Sequence, residues 1–138
     1  MSKKRKIIIT SVVVLVVTAI ILCVLLFDSA SIGENVKGEL YYSDNSTSFC
    51  TNITDEESTE IAKMINGKPM HFLDDSVYRF SDEVYLSFED GEEIKNYYID
   101  CNGCEALRYD DRVIYLEIEE TERLIEILTI YSVEFPIN

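Results

Sequence analysis

The sequence lacks the residues and motifs on which most enzyme chemistry depends. It has no tryptophan, one histidine (His71) and four cysteines among 138 residues. It contains no G-x-S-x-G nucleophile motif, no phosphate-binding loop, no dinucleotide fingerprint and no H-E-x-x-H zinc motif. Hydrolase and nucleotide-dependent activities therefore have no support in the sequence, and we expect a protein that is not an enzyme.

Basic residues are also scarce, and they are unevenly placed. Four of the 12 lysines and arginines stand together at residues 3–6, while all 26 acidic residues follow Phe27. With the eight remaining basic residues, the part from Asp28 onward carries a formal net charge of −18. Nucleic-acid binding is dominated by lysine and arginine contacts to phosphate, so a nucleic-acid partner is excluded. Docking on anionic lipid headgroups is disfavoured for the same reason.

The sequence does have one long apolar run, from Ile7 to Phe27, directly after the basic cluster. Its 21 residues would span roughly 30 Å as a helix, the thickness of the hydrocarbon core of a bilayer. A cleaved signal peptide has a shorter core and ends in small residues, which leaves Ser29-Ala30-Ser31 as an alternative cleavage site. The run predicts a transmembrane signal anchor with residues 1–6 in the cytoplasm and the C-terminal domain outside it, at the cell membrane.

Residues 28–37 are small and polar, and predict a linker to an acidic domain spanning residues 38–138. In this domain Thr54 and Glu57 form a capping-box pattern that opens an amphipathic helix. Alternating apolar residues predict short antiparallel strands at 38–43, 84–88, 96–101, 104–109 and 113–118, and residues 119–131 predict a second helix. We therefore expect an α+β fold: an N-terminal transmembrane helix, then an antiparallel β-meander with two helices packed on one face.

The dipeptide Asn102-Gly103 is the strongest hairpin signal in the chain. A two-residue loop there pairs residue 101 with 104 and 98 with 107, and a second such loop at Asp110-Asp111 pairs 107 with 114. The core face of the sheet would then carry Tyr98, Leu107, Tyr109, Ile114, Leu116 and Ile118. The open face would carry Tyr97, Ile99, Cys101, Cys104, Ala106, Arg108, Val113 and Tyr115.

The predicted open face suggests a binding site. Tyrosine and arginine are favoured at protein interfaces, so we predict that Tyr97, Ile99, Arg108 and Tyr115 bind a protein partner outside the cytoplasm. The alternative is that these residues only stabilise the strands as cross-strand pairs.

Cys101 and Cys104 form a C-x-x-C pair, which outside the cytoplasm indicates a disulfide, a redox motif or half of a metal site. In the predicted register their Cα atoms would be ~5.5 Å apart, within the disulfide range. A bridge from Cys50 to either of them is the other pairing. Acidic neighbours at Asp100 and Glu105 disfavour the thiolate that a fast oxidoreductase needs.

Metal binding has two weak signals. Cys50, His71, Cys101 and Cys104 add up to the ligand set of a structural zinc site. The alternative function is therefore an extracytoplasmic thiol-disulfide or zinc-binding protein. Calcium would suit the acidic pairs, which lie at Asp74-Asp75, Asp82-Glu83, Glu89-Asp90, Glu92-Glu93 and Asp110-Asp111. None of them has EF-hand spacing and each lies where a turn is expected, so we predict no resident cofactor.

Overall fold

The structure, a computed structural model, describes residues 2–26, 28–72 and 77–137. Phe27, at the end of the predicted anchor, and the Asp74-Asp75 pair lie outside the described residues. The elements in chain order are α1 (Lys3–Leu26), β1 (Lys37–Ser43), β2 (Ser48–Asn52), α2 (Asp55–Ile65), β3 (His71–Phe72), β4 (Val84–Asp90), β5 (Glu93–Ile99), β6 (Ala106–Tyr109), β7 (Arg112–Tyr115) and α3 (Ile118–Ile130).

α1 is an apolar helix that packs against nothing else in the described chain. An 18-residue stretch within Lys3–Val24 has a mean hydropathy of 3.2, and none of that stretch is buried. By length and composition this helix is able to cross a membrane, and an N-terminal signal sequence has the same properties. An apolar N-terminal helix is therefore present where the sequence predicts one.

The seven strands form one antiparallel sheet in the order β2-β1-β4-β5-β6-β7-β3. After the β1–β2 hairpin, α2 carries the chain to the far edge, where β3 pairs with β7. The chain then returns to β4, beside β1, and β4 to β7 follow as a meander. The predicted α+β fold is confirmed, with more strands than the sequence indicates.

The core lies between one face of the sheet, the inner face, and the two helices α2 and α3. Burying a large apolar side chain stabilises the fold by about 1.5–3 kcal/mol, so these contacts set which face of each element points inward. The largest fully buried side chains are Leu40, Leu86, Phe88, Tyr97, Ile99, Leu107 and Ile114 from the sheet, with Ile61, Ile65, Leu124, Ile127 and Leu128 from the helices.

The start of α2 agrees with its sequence signature. The Thr54 hydroxyl accepts a hydrogen bond from the Glu57 N–H at 3.1 Å, and the Thr54 N–H donates to the Glu57 carboxylate at 3.3 Å. This capping box gives hydrogen-bond acceptors to two backbone N–H groups, those of Thr54 and Glu57, that would otherwise be unpaired at the start of the helix. Ile61 and Ile65, four residues apart, then point into the core.

The segment predicted as a linker, residues 28–37, is part of the fold. Ala30, Ile32 and Val36 are each no more than 4% exposed and belong to the core. The Ala30 N–H donates to the Lys68 carbonyl at 2.8 Å. The sequence conceals this because its three apolar residues stand among small polar ones, a composition that is typical of a flexible tether.

Candidate functional site

The register of the β5–β6 hairpin differs by one residue from the predicted one. Tyr98 pairs with Arg108 and Ile99 with Leu107. The next hairpin is as predicted, since Leu107 pairs with Ile114. Because successive side chains of a strand point to opposite faces, a shift of one residue turns every side chain of β5 to the face opposite the predicted one.

The cause of the shift is the loop between the two strands, which is longer than two residues. The Asp100 N–H donates to the Ala106 carbonyl at 3.0 Å, so pairing stops there. The Asp100 carboxylate accepts hydrogen bonds from the backbone N–H groups of Asn102 and Gly103, at 3.2 and 3.3 Å. Cys104 then has a φ of +59°. The short acidic side chain thus forms an Asx-type turn in place of the tight turn that Asn-Gly favours.

The shift corrects the predicted binding site. Tyr97 and Ile99 are 1% and 0% exposed and belong to the core, so neither is on an open face. Arg108 and Tyr115 lie on the outer face, the one opposite the helices, and Tyr115 is 41% exposed. Tyr98, predicted in the core, is turned to the outer face beside Arg108.

Other face predictions also need correction. Ile118, predicted in the core, is 79% exposed because it is the first residue of α3 and not the end of β7. Ala106 and Val113 share the outer face with Arg108 and Tyr115, but both are buried beneath neighbouring side chains.

One row of directly paired residues crosses the outer face from edge to edge. We name it the cross-sheet row; its members, from β2 to β3, are Cys50, Tyr41, Tyr85, Tyr98, Arg108, Val113 and His71. Adjacent members are cross-strand neighbours, close enough for their side chains to contact each other. From Tyr41 to Arg108 the outer face therefore presents a line of aromatic groups that ends in a cation, on an otherwise acidic domain, and Val113 beyond Arg108 is buried.

The rings of the row stack on one another. Tyr41 and Tyr85 are nearly parallel, with centroids 4.6 Å apart and an interplanar angle of 5°. Tyr85 and Tyr98 follow at 5.1 Å, and the Arg108 guanidinium carbon lies 4.4 Å from the Tyr98 centroid. Tyr41, Tyr85, Tyr98 and Arg108 therefore contact one another in sequence along the row, with the first pair stacked and the second tilted.

The hydroxyl groups of Tyr41 and Tyr85 stay protonated at neutral pH. The hydrogen-bonded neighbours Cys50 and Glu39 raise the pKa of Tyr41, and partial burial raises the pKa of Tyr85. The Tyr41 hydroxyl donates to the Glu39 carboxylate at 3.0 Å. The Tyr41–Tyr85 part of the row is therefore an uncharged, amphipathic surface, and the positive charge of Arg108 lies further along it, an arrangement that suits protein recognition better than acid-base chemistry.

A cleft of about 310 Å³ opens beside the Tyr41–Tyr85 end of the row. Its polar lining includes Lys37, Glu39, Asn52, Ser87 and Asn96. The Asn96 Oδ1 atom is buried and has no hydrogen-bond partner among the described residues. An unsatisfied buried acceptor is costly, so this atom is ready to accept a hydrogen bond from a bound group or a water molecule.

Cys101 and Cys104 are both free and fully buried, so the predicted disulfide between them is absent from the structure. The longer loop explains this, because the two residues are not directly opposite each other. The Cys101 sulfur lies 3.5 Å from the Ser81 hydroxyl. Burial, reinforced by the Asp100 carboxylate, raises the pKa of the Cys104 thiol. A protonated, buried thiol is a poor nucleophile and a poor metal ligand.

The four residues of the predicted zinc set do not come together. Cys50 lies on β2 and His71 on β3, at opposite edges of the sheet. Six inter-strand spacings separate them, roughly 28 Å. The described parts of the chain contain no group of three histidine, cysteine or acidic residues that could hold a metal ion. His71 instead packs against Tyr115, with ring centroids 4.8 Å apart.

Two residues of the acidic pairs that were candidates for calcium, Asp90 and Asp110, serve the fold. Asp90 forms a salt bridge with Lys95 at 2.8 Å and accepts the Gly33 N–H at 3.1 Å. Asp110 adopts a φ of +55° in the turn between β6 and β7. Turn formation and local pairing therefore account for these carboxylates.

Sequence reasoning missed Tyr41 and Tyr98 as surface residues. The available signal was in β4, where the apolar residues Val84, Leu86 and Phe88 alternate with others and so place Tyr85 on the outer face. Tyr41 and Tyr98 pair directly with Tyr85 and therefore lie on the same face.

The chain matches no protein-family model, no curated protein and no solved structure.

Proposed function

We propose that this chain is a single-pass membrane protein whose folded domain, outside the cytoplasm, binds a protein partner through the cross-sheet row. The observation that carries the proposal is the row itself: three tyrosines in ring contact, ending in an arginine, on the sheet face opposite the helices. Tyrosine and arginine are the side chains that most often dominate binding energy at protein interfaces.

The membrane part of the proposal rests on α1. A helix of 24 residues that exposes apolar side chains on every side needs an apolar environment, and the described chain provides none. A bilayer supplies it over the length of the helix. The basic residues before the helix and the acidic domain after it favour a cytoplasmic N-terminus.

The class of partner follows from charge and shape. A net charge of −18 on residues 28–138 repels nucleic acid and anionic lipid, and it attracts basic protein surfaces. The sheet face is broad and lined with hydroxyl groups that are able to donate hydrogen bonds to peptide carbonyls. A protein with a basic rim around an apolar centre would complement it.

Photocrosslinking in the full-length protein tests the proposal. A photoreactive amino acid replaces Tyr85, at the centre of the row, and in a control protein it replaces Ile130, which is 68% exposed on α3. In membranes of the native host we expect a discrete adduct from position 85 and none from position 130. Adding Tyr98→Ala or Arg108→Glu should reduce the adduct at least tenfold, about 1.4 kcal/mol, with the melting temperature checked in parallel.

An adduct that forms equally from both positions, or that survives both row variants in a folded protein, would show that the row is not the binding surface. The thiol-disulfide or zinc alternative stays a hypothesis of its own. It is tested by the alkylation measurement described in the Discussion.

A further inference from the structure

The sheet has one long open edge, formed by β2. Among the described strands β2 pairs only with β1, and the opposite edge strand, β3, has two residues. Natural edge strands are usually protected by charge, proline or a bulge. β2 reads Ser48-Phe49-Cys50-Thr51-Asn52 and contains no charged residue and no proline, although the domain around it is strongly acidic. β2 itself therefore has no charge or proline that would block pairing with another strand, and the nearest carboxylate in contact with Cys50 is that of Glu39 on β1, 3.8 Å from the Cys50 sulfur.

The hydrogen bonds of the β1–β2 hairpin show which residues face this edge. The Asp44 N–H donates to the Thr47 carbonyl at 2.8 Å, and the Ile53 N–H donates to the Gly38 carbonyl at 3.0 Å. In an antiparallel ladder hydrogen-bonded and non-hydrogen-bonded pairs alternate. Counting from both ends, the backbone groups of Phe49 and Thr51 face β1.

It follows from the same alternation that the backbone N–H and carbonyl groups of Ser48, Cys50 and Asn52 point to the open edge. Cys50 is the middle residue of the five, and its thiol is exposed on the outer face. A second β2 that is antiparallel and centred on Cys50 would place Cys50 opposite Cys50. Ser48 of each copy would then lie opposite Asn52 of the other copy.

We propose that two copies of this chain pair through β2 in this register, and that the two Cys50 thiols close an intermolecular disulfide. The pair centred on Cys50 would be a hydrogen-bonded one, with Cα atoms about 5.5 Å apart, within the disulfide range. Only a second copy is certain to bring another exposed cysteine to the central position, which is the reason to assign a second copy and not an unrelated strand. The pairing joins two seven-stranded sheets into one. The cross-sheet rows of the two copies then come together at their Cys50 ends.

The bond-forming step has a simple balance. Two thiols become one disulfide and release two electrons and two protons, which a disulfide oxidant such as oxidised glutathione accepts as it is reduced to two thiols. In the cell this step rests on the proposed location of the domain outside the cytoplasm, where disulfides persist. The strand pairing does not depend on this location. An experiment in which oxidised glutathione is added does not depend on it either.

Cysteine placement in the full-length protein in mild detergent tests the register. All variants carry Cys23→Ser, so that the thiol in α1 does not contribute. With oxidised glutathione the protein that retains Cys50 should give a dimer on a non-reducing gel at least ten times faster than the Ser48→Cys/Cys50→Ser variant. The control thiol is on the same face and the same edge, but the proposed register leaves it about 13 Å from its own copy.

A third protein, with Ser48→Cys, Asn52→Cys and Cys50→Ser, should cross-link between positions 48 and 52, and mass spectrometry of the linked peptides identifies the pair. Similar dimer yields from all three proteins would indicate random collision and overturn the proposal. Cys50 that accumulates only as a glutathione adduct, or as a disulfide with a different protein, would overturn it as well.

Charge substitutions at positions 48 and 52 test the contact between the two β2 strands in the absence of a disulfide. In the Cys50→Ser background, Ser48→Lys/Asn52→Lys sets lysine opposite lysine, while Ser48→Lys/Asn52→Glu sets lysine opposite glutamate. Sedimentation should show less dimer for the first variant than for the second. Equal dimer fractions would contradict the register, and neither result depends on whether the cross-sheet row binds a partner.

Discussion

The Arg108 guanidinium lies over the ring of Tyr98, 4.4 Å from its centroid. Both side chains lie on the outer face, because the β5–β6 register pairs the two residues directly. Tyr97, the neighbouring residue, consequently points into the core and packs against Tyr109 with ring centroids 5.1 Å apart. The two adjacent tyrosines therefore differ in what their removal should cost.

We expect Tyr97→Ala to lower the free energy of unfolding by about 3–5 kcal/mol, because it leaves a cavity in the core. Tyr98→Ala should cost only about 1 kcal/mol, the loss of a cation–π contact and an aromatic pair at the surface. Urea unfolding of both variants makes the comparison. A larger loss for Tyr98→Ala than for Tyr97→Ala would reverse the assignment of the faces.

Gly38, in β1, is tightly enclosed by Ile53 and by Ser58 of α2. A Cβ atom there would lie 2.8 Å from the Ile53 Cδ1 atom and 2.8 Å from the Ser58 hydroxyl, which accepts the Gly38 N–H. Gly38→Ala should therefore cost about 1–3 kcal/mol through overpacking. The control is Gly103→Ala, where the nearest atom, in the Glu105 side chain, is 3.7 Å away. Thermal melting should separate the two variants, and equal melting temperatures would contradict the packing.

Asp90 holds the start of the domain against the β4–β5 hairpin. Its carboxylate contacts Lys95, which also donates to the Ser31 carbonyl at 2.6 Å, and it accepts the Gly33 N–H. The hydrogen bond from Lys95, followed by that from Gly33, lowers the pKa of Asp90. A lowered folded-state pKa stabilises the fold above the unfolded value of about 3.9, and this contribution is lost as the pH falls through the folded value.

Asp90→Asn should thus cost about 0.5–1 kcal/mol at pH 7 and progressively less as the pH falls below 4. Chemical unfolding at pH 7 and pH 3 measures the difference. Asp111→Asn is the matched control, since Asp111 is 78% exposed in its side chain and only loosely paired. A difference between wild type and Asp90→Asn that is constant with pH would show that the charge of Asp90 does not contribute.

The three cysteines of the domain should differ sharply in reactivity. Cys50 is exposed, whereas Cys101 and Cys104 are fully buried and reach solvent only through local opening. In the Cys23→Ser protein we expect iodoacetamide to modify Cys50 at least 100 times faster than the other two, with all three reacting alike in denaturant. Rapid modification of Cys101 or Cys104, or their recovery as a native disulfide, would support the thiol-disulfide alternative.

Local signals carried the fold prediction where a single motif decides the structure. Thr54 and Glu57 were sufficient to predict the start of α2, and the turn after Tyr109 gave the correct pairing of Leu107 with Ile114. The β5–β6 loop failed because its conformation depends on Asp100, whose carboxylate takes up nearby backbone N–H groups. That competition between a side chain and a tight turn is not visible in the Asn-Gly dipeptide.

The candidate site was predicted only in part, because the β5–β6 register was wrong and the β1–β4 pairing has no local signal. Arg108 and Tyr115 were assigned to the outer face from a hairpin whose register was correct on one side only. Tyr41 was missed because β1 and β4 are far apart in sequence, and no local pattern specifies that they are neighbours. Long-range pairing is decided by the packing of the whole sheet on its helices.

The Met70 N–H donates to the Asp28 carbonyl at 2.8 Å, two residues after α1 ends at Leu26. If α1 lies in a bilayer, there is almost no slack between the membrane and the first hydrogen bond of the domain. A pull or a twist applied at the sheet would reach the helix as torque and would not be absorbed by an uncoiling tether. In that case the domain and the helix would move together, and several glycines inserted after Phe27 would let the domain move independently of the helix.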